Sequence, residues 1–314
     1  NSDSNTVNWV GGMTSTNIGQ HAILLNDSDS NTISMTGNIN STGLGSTGIW
    51  IETGSESNTI NVTGDINVTG QNASGLYLRA GSDSNNITIN GNIITSGTDG
   101  DSEPILLSNS DSNTFTLSGA VHSLGGDQAI SVNAGVGWTS QNNTFSFSEG
   151  ASVIGGFNNA GTNTILTNQG TIDSITNSGS IATFNNAQTG ATYSGTLPVN
   201  YNIIINSPTE YGSTTFSSAT GTTTFGLDTV NSTSGLGGYF SDILSGIGRE
   251  SLTATSGNSG SQYWVILDPN SDNTLDLNLS YAGNQTINYD ISTTKNYAYG
   301  YWMEENDNST ITIN

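Results

Sequence analysis

Residues 109–119, NSDSNTFTLSG, recur with small changes along the chain: NSDSNTVNWVG from Asn1, DSDSNTISMTG from Asp27, GSESNTINVTG from Gly54 and GSDSNNITING from Gly81. Aligned on their shared asparagine, Asn5, Asn31, Asn58, Asn85 and Asn113, the copies are 26, 27, 27 and 28 residues apart. A degenerate copy, SQNNTFSFSEG, places Asn143 a further 30 residues on. A repeat of this period is one supersecondary unit, and it buries its apolar face only by stacking on its neighbours.

Each period holds three short strand patterns with Gly, Asn, Asp and Ser at the corners between them. The first runs TISMTG, TINVTG, NITING, TFTLSG and TFSFSE; the second NINSTG, DINVTG, NIITSG, AVHSLG and ASVIGG. The third is more apolar: HAILLN, GIWIET, GLYLRA, PILLSN and AISVNA. Alternate side chains of a strand face opposite ways. The first strand therefore points Val7/Trp9, Ile33/Met35, Ile60/Val62, Ile87/Ile89, Phe115/Leu117 and Phe145/Phe147 inward. Thr32/Ser34, Thr59/Asn61, Asn86/Thr88 and Thr114/Thr116 then form an outward hydroxyl and amide ladder.

A leucine-rich repeat has a similar length, but its Leu spacing is missing, and a propeller blade needs about 40 residues. The pattern predicts an all-β chain. Its body is a right-handed parallel β-helix with three short strands per coil of about 27 residues, coils about 4.8 Å apart. From Asn163 the rhythm tightens around Gly170, Gly179 and Gly190, which predicts that the helix continues with minimal corners. Pro198 and Pro208 mark a change of unit, so the β-helix is expected over residues 1–198 and a smaller β-rich C-terminal segment over 199–314. Within the latter, GYFSDILSGIG reads as a short helix.

Composition narrows the function classes. The chain has 25 acidic residues against three basic ones, Arg79, Arg249 and Lys295, for a net charge of -22. Phosphate binding needs basic side chains, so nucleic acid is not an expected partner. Docking on an anionic membrane is disfavoured for the same reason, and cations should be attracted. No apolar run approaches a transmembrane helix, so no direct membrane insertion of this segment is expected. There is no Cys, which removes disulfides and thiol chemistry. Asn1 begins inside a repeat, as in a processed or excised piece, and the acidic, Ser/Thr/Asn/Gly-rich composition reads as extracellular.

Two passages carry a family likeness. GTIDSITNSGSIATFNN, together with the Ser/Thr/Asn-rich coil, resembles the β-helical passengers of bacterial type V autotransporters. YNIIINSPTEYG, followed by TTTFGLDT, FSDILSGI and YWVILDPNSDNTLDL, is similar to the segment that precedes the outer-membrane barrel in many such proteins. The resemblance implies an exported surface protein of a Gram-negative bacterium, often an adhesin.

Three sets of residues are candidate sites. Asp3, Asp29, Glu56, Asp83 and Asp111 occupy equivalent corner positions, and stacking would align them as a column of carboxylates. Such a column either recruits Ca²⁺ or another hard cation, or forms a solvated edge that deters unwanted pairing; one carboxylate per coil supplies few ligands. Asn5, Asn31, Asn58, Asn85 and Asn113 are expected to form a structural ladder, at corners that visit left-handed conformations. In DPNSDNTLD, Asp268, Asn270, Asp272, Thr274 and Asp276 alternate like the first half of a calcium loop, but Asn273 and Leu279 stand where Gly and Glu belong, and a polar β-turn is the competing reading. No other cofactor is expected.

Parallel β-helices also include polysaccharide lyases and glycoside hydrolases. With Arg79 alone among the repeats, and His21 and His122 on different faces, no acid/base pair or nucleophile–base arrangement assembles. A water-ordering, ice-binding face is disfavoured by the mixture of Thr, Ser and Asn, and the Asn-X-Ser/Thr sequons follow from composition. The expected function is thus a non-enzymatic structural or adhesive rod that meets cell-surface or glycan receptors through many weak contacts. Tyr297, Tyr299, Tyr301 and Trp302 are candidate contacts. The alternative partner is the chain itself: an uncapped first coil at Asn1 and the strand-like STITIN ending at Asn314 would allow end-to-end stacking into a filament.

Overall fold

The computed structural model describes residues 3–98, 102–132, 139–234, 236–259, 262–269 and 273–281, with the backbone of Thr286–Tyr289 and Thr310–Ile313. Each early coil folds as the alternation dictates. In the second coil the strands are Thr32–Thr36, Ile39–Ser41 and Ile49–Glu52. Like strands of successive coils pair in parallel, which builds three sheets of ten, seven and thirteen strands, the last including antiparallel strands at its end. The ten-stranded sheet closes nine turns of a β-helix.

Register converts the repeat into continuous rows. Val7, Ile33, Ile60, Ile87, Phe115, Phe145, Leu166, Phe184, Tyr201 and Phe225 are successive partners along the first sheet. The second sheet contributes Ile39, Ile66, Ile93, Val121 and Val153, and the third Ile49, Leu76, Ile105, Ile130 and Phe157. All of these except Val7 are buried in one core. Burial of each such side chain contributes roughly 1.5–3 kcal/mol. Val7 and Trp9 keep the inward register of Ile33 and Met35 but are 44% and 45% exposed at the first coil.

The corner before each first-sheet strand is left-handed, but not at the asparagine. Ser30, Ser57, Ser84 and Ser112 have φ of 57°, 57°, 58° and 59°, and the asparagine that follows stands immediately before the strand. Between the first and second strands, Gly37, Gly64, Gly91 and Gly119 stack so closely that a Cβ on Gly64 would lie 2.3 Å from the carbonyl oxygen of Gly37.

After residue 163 the coils shorten. Asn159 and Asn177, and likewise Asn168 and Asn186, meet across a step of 18 residues. The second sheet ends with Thr171–Ile172. Aromatic rings then fill the core: Phe184 packs on Tyr193 at 6.1 Å and on Tyr201 at 5.6 Å between centroids. The buried phenols keep polar partners. Tyr193 donates to Thr196 O at 2.6 Å and accepts from Asn177 Nδ2 at 2.9 Å, and Tyr201 meets Thr214 Oγ1 at 2.9 Å. Burial pushes the Tyr201 hydroxyl up to about 12, and raises that of Tyr193 as well.

Parallel pairing continues past the junction expected at 198/199. Asn200–Ile203 pairs with Ile181–Asn186 and in turn with Thr224–Leu227, while Thr214–Thr220 pairs with Ala191–Thr196. Pro198 precedes a coil that carries a small antiparallel hairpin, Ile205–Ser207 with Glu210–Tyr211, and Pro208 sits in the hairpin's turn. The change of architecture comes at Gly238–Ser245, which pairs in parallel with Thr214–Thr220 and antiparallel with Thr274–Tyr281. Gln262–Leu267 and Ser256–Ser259 complete an antiparallel meander. Its Trp264 sets its ring against Phe225 of the last coil at 5.2 Å, edge to face, and so covers that end of the core.

The segment expected as a short helix is the strand Gly238–Ser245. Phe240, Ile243, Leu244 and Ile247 have helical spacing because a bulge interrupts the alternation. Asp242 takes φ 53° there, and its backbone N–H donates to Asp276 Oδ1 at 2.7 Å.

Candidate functional site

The most ordered polar feature is the asparagine ladder. Asn31, Asn58, Asn85 and Asn113 are all nearly inaccessible to solvent. Each side-chain oxygen accepts the backbone N–H and the Nδ2–H of the asparagine one coil earlier; for Asn58 and Asn85 the distances are 2.9 and 3.0 Å. Asn5 donates to Asn31 in the same way, and Asn113 to Asn143. The second Nδ2 proton reaches back to a serine carbonyl, Ser28 O for Asn58 and Ser55 O for Asn85. The side-chain amides of Asn58 and Asn85 thus find all their partners within the protein.

The acidic column runs alongside, and its carboxylates accept backbone hydrogen bonds. Oδ1 of Asp3, Asp29, Asp83 and Asp111 accepts from the backbone N–H of Asp29, Glu56, Asp111 and Gln141, at 3.1, 2.8, 2.7 and 2.7 Å. Burial pushes the Asp83 carboxyl above its usual value; the Asp111 amide opposes this, and the charge of Asp111 adds to it. Among the described residues no group of three or more His, Cys, Asp or Glu is placed to hold a metal ion.

A third polar column escaped the sequence reading. Asn38, Asp65 and Asn92 stack at the corner after the first strand, where Oδ1 accepts the N–H of Asp65, Asn92 and Ala120 in turn at 2.9, 2.8 and 2.8 Å. Its signal was present: an Asn or Asp follows the stacked glycine in TGN, TGD and NGN at the same 27-residue step.

Asp268 and Thr274 flank the connection between two antiparallel strands, and Asn270 and Asp272 lie outside the described residues. Asp276 stands within the strand Thr274–Tyr281, only 3% exposed, where its carboxylate accepts from the Tyr239 hydroxyl and the Asp242 amide. Tyr297, Tyr299, Tyr301 and Trp302 also lie outside the described residues.

Among the described residues, the outward face of the third sheet carries a cluster of mixed chemistry. Trp50 and Tyr77 are register partners with ring centroids 4.8 Å apart, edge to face. His21 packs on Trp50 at 4.3 Å, and the Arg79 guanidinium carbon lies 5.7 Å from the Trp50 ring and 5.9 Å from Tyr77. Burial holds the His21 imidazole below its usual value, while Glu52 pulls it upward. The Thr47 N–H donates to Nδ1 at 3.1 Å, which requires that nitrogen to be unprotonated. His122 lies in Ala120–Ser123 of the second sheet, on a different face. The sequence reading had named Arg79 and His21 singly; the alignment of GIWIET with GLYLRA was the signal that joins them to Trp50 and Tyr77. Comparison with protein-family models, curated proteins and solved structures finds no match to this chain.

Proposed function

We propose that this chain is an extracellular, non-enzymatic rod of a bacterial surface, of the autotransporter-passenger kind, that mediates attachment. The observation that carries the reading is the parallel register, which runs without a shift from Thr6–Val10 to Thr144–Phe147 of the first sheet. Nine turns at about 4.8 Å give a parallel stack roughly 45 Å long. Outward rows such as Ser34, Asn61, Thr88, Thr116 and Ser146 repeat along it at fixed spacing. A surface of this kind suits many weak, identical contacts, whose sum becomes strong when copies are displayed together.

The experiment is a bead assay. Beads coated with the protein are expected to be retained on host-cell or bacterial layers at least about tenfold above albumin-coated beads, as avidity allows. Equal retention contradicts the adhesive reading, and cleavage of an acidic polysaccharide contradicts the non-enzymatic one.

A second reading is end-to-end assembly, in which another copy would cover Val7 and Trp9, which hold the inward register of the first strand. A preceding stretch of the same protein would cover them equally well. Negative-stain images of long fibres support assembly, and single short rods across a broad concentration range contradict it.

A further inference from the structure

We propose that the patch formed by Trp50, Tyr77 and Arg79 binds a carboxylate-bearing sugar. Arg79 follows Tyr77 by two residues on one strand, so both side chains leave the outward face of the third sheet. Among the described residues the Arg79 side chain makes no ion pair or hydrogen bond, although the chain holds 25 acidic residues. The nearest carboxylate in register is instructive. Asn26 pairs with Glu52 and Arg79 with Ser108, which sets Glu52 in the row beside Arg79. Glu52 instead accepts from Asn26 Nδ2 at 2.9 Å, and the guanidinium turns to the two rings.

Arg79 Nε and the Trp50 indole N–H are both buried with no acceptor in the protein. Two desolvated donors and a guanidinium charge stand together here, on a chain of net charge -22. The complementary ligand brings acceptor oxygens. A planar carboxylate matches the terminal guanidinium nitrogens in a two-point contact that no other cation here offers. His21 packs on Trp50 and fixes the indole. Leu24, in register with Trp50 and 52% exposed, extends the apolar strip that the carbon face of a sugar ring would cover. Asn26 and Glu52 lie in the adjoining row to meet ring hydroxyls. A peptide acid fits less well, because these strands are interior to their sheet and their backbone groups are already paired.

The inference deepens the adhesive reading, which gives it biological meaning, but it is tested separately. Calorimetric titration uses galacturonic acid trimer and N-acetylneuraminic acid, with maltotriose as the neutral control and a tetra-aspartate peptide as the acidic control. At least one acidic sugar is expected to bind with a dissociation constant below about 1 mM. Arg79→Gln weakens it at least about tenfold with the melting temperature unchanged, and Arg79→Lys gives an intermediate loss. If Arg79→Gln proves unstable, Arg79→Lys carries the comparison. Because the whole chain repels anions, binding should tighten about two- to fivefold as salt rises from about 10 to 150 mM. The proposal is overturned if neither acidic sugar binds up to about 10 mM, if maltotriose or the peptide binds equally, or if the Arg79 variants bind as well as the parent. No sugar binding with bead retention intact removes this site alone; sugar binding without retention removes the adhesive reading alone.

Discussion

The side-chain oxygen of Asn85 accepts both the backbone N–H and the Nδ2–H of Asn58, one coil earlier, at 2.9 and 3.0 Å. That contact joins the sequence repeat to the register of the stack, because only an in-phase asparagine can reach both donors. Asn85→Ala would strand two donors of Asn58, itself fully buried, and delete the bonds of Asn85 to Asn113 and Ser55. A loss of about 3 kcal/mol is expected in denaturant unfolding. A loss near zero would show that the ladder is decorative.

The glycine column makes a steric prediction. Gly64 has φ 143°, and an added Cβ would lie 2.3 Å from Gly37 O, so Gly64→Ala must push two coils apart. It should cost more than about 2 kcal/mol. Gly54, at φ 68° with nothing within 4 Å of its hypothetical Cβ, supplies the control, and Gly54→Ala should cost only about 1 kcal/mol.

Two groups give the stability opposite pH dependences. Asp83 has a folded-state value raised by burial, so its contribution is present below its unfolded value and is lost as pH rises through the raised one. Asp83→Asn keeps an acceptor for the Asp111 amide and removes the repulsion with the Asp111 charge. It should stabilise the protein at pH 7 by about a few tenths of a kcal/mol after solvent screening, and the gain should vanish at acidic pH. His21 is depressed by burial, so its contribution is present above the ordinary 6.5 and is lost as pH falls through the folded value. Melting curves from pH 3 to 8 on the parent, Asp83→Asn and His21→Asn, with His21→Asn flattening the change near neutrality, would check both signs.

The acidic column is predicted to act through its backbone hydrogen bonds. Each of Asp3, Asp29, Asp83 and Asp111 offers an oxygen to the next coil, with one carboxylate per turn. The melting temperature should be the same in Ca²⁺ and in chelator. A rise of several degrees in Ca²⁺ would assign a cation to the column.

Much of the fold was legible because alternation and repeat period act together. Ile60 and Val62 point inward in every coil for the same reason that Thr59 and Asn61 point outward, and the period sets which residues stack. What escaped depends on relations between coils or on bulges. The left-handed corner falls on Ser84 rather than on Asn85, which stands immediately before the strand Asn86–Asn90 and gives its backbone N–H to Asn113. Gly238–Ser245 imitates helical spacing because Asp242 bulges toward Asp276. Pro198 precedes a further coil rather than the end of the stack, as Tyr201 stays in the core row between Phe184 and Phe225. The patch of Trp50, Tyr77 and Arg79 was hidden because its members belong to different repeats and gain meaning only in register.

In-register stacking is the claim on which everything else depends, and the absence of Cys allows a direct measurement. Thr63 and Asn90 are exposed register partners on adjacent coils, about 5 Å apart by strand spacing. Thr63 and Ser118 lie two coils apart, about 10 Å, beyond the reach of a disulfide. Under mild oxidation the double variant Thr63→Cys/Asn90→Cys should cross-link within the monomer, and Thr63→Cys/Ser118→Cys should not. Cross-linking of both pairs to the same extent, or of neither, would contradict the stacked register.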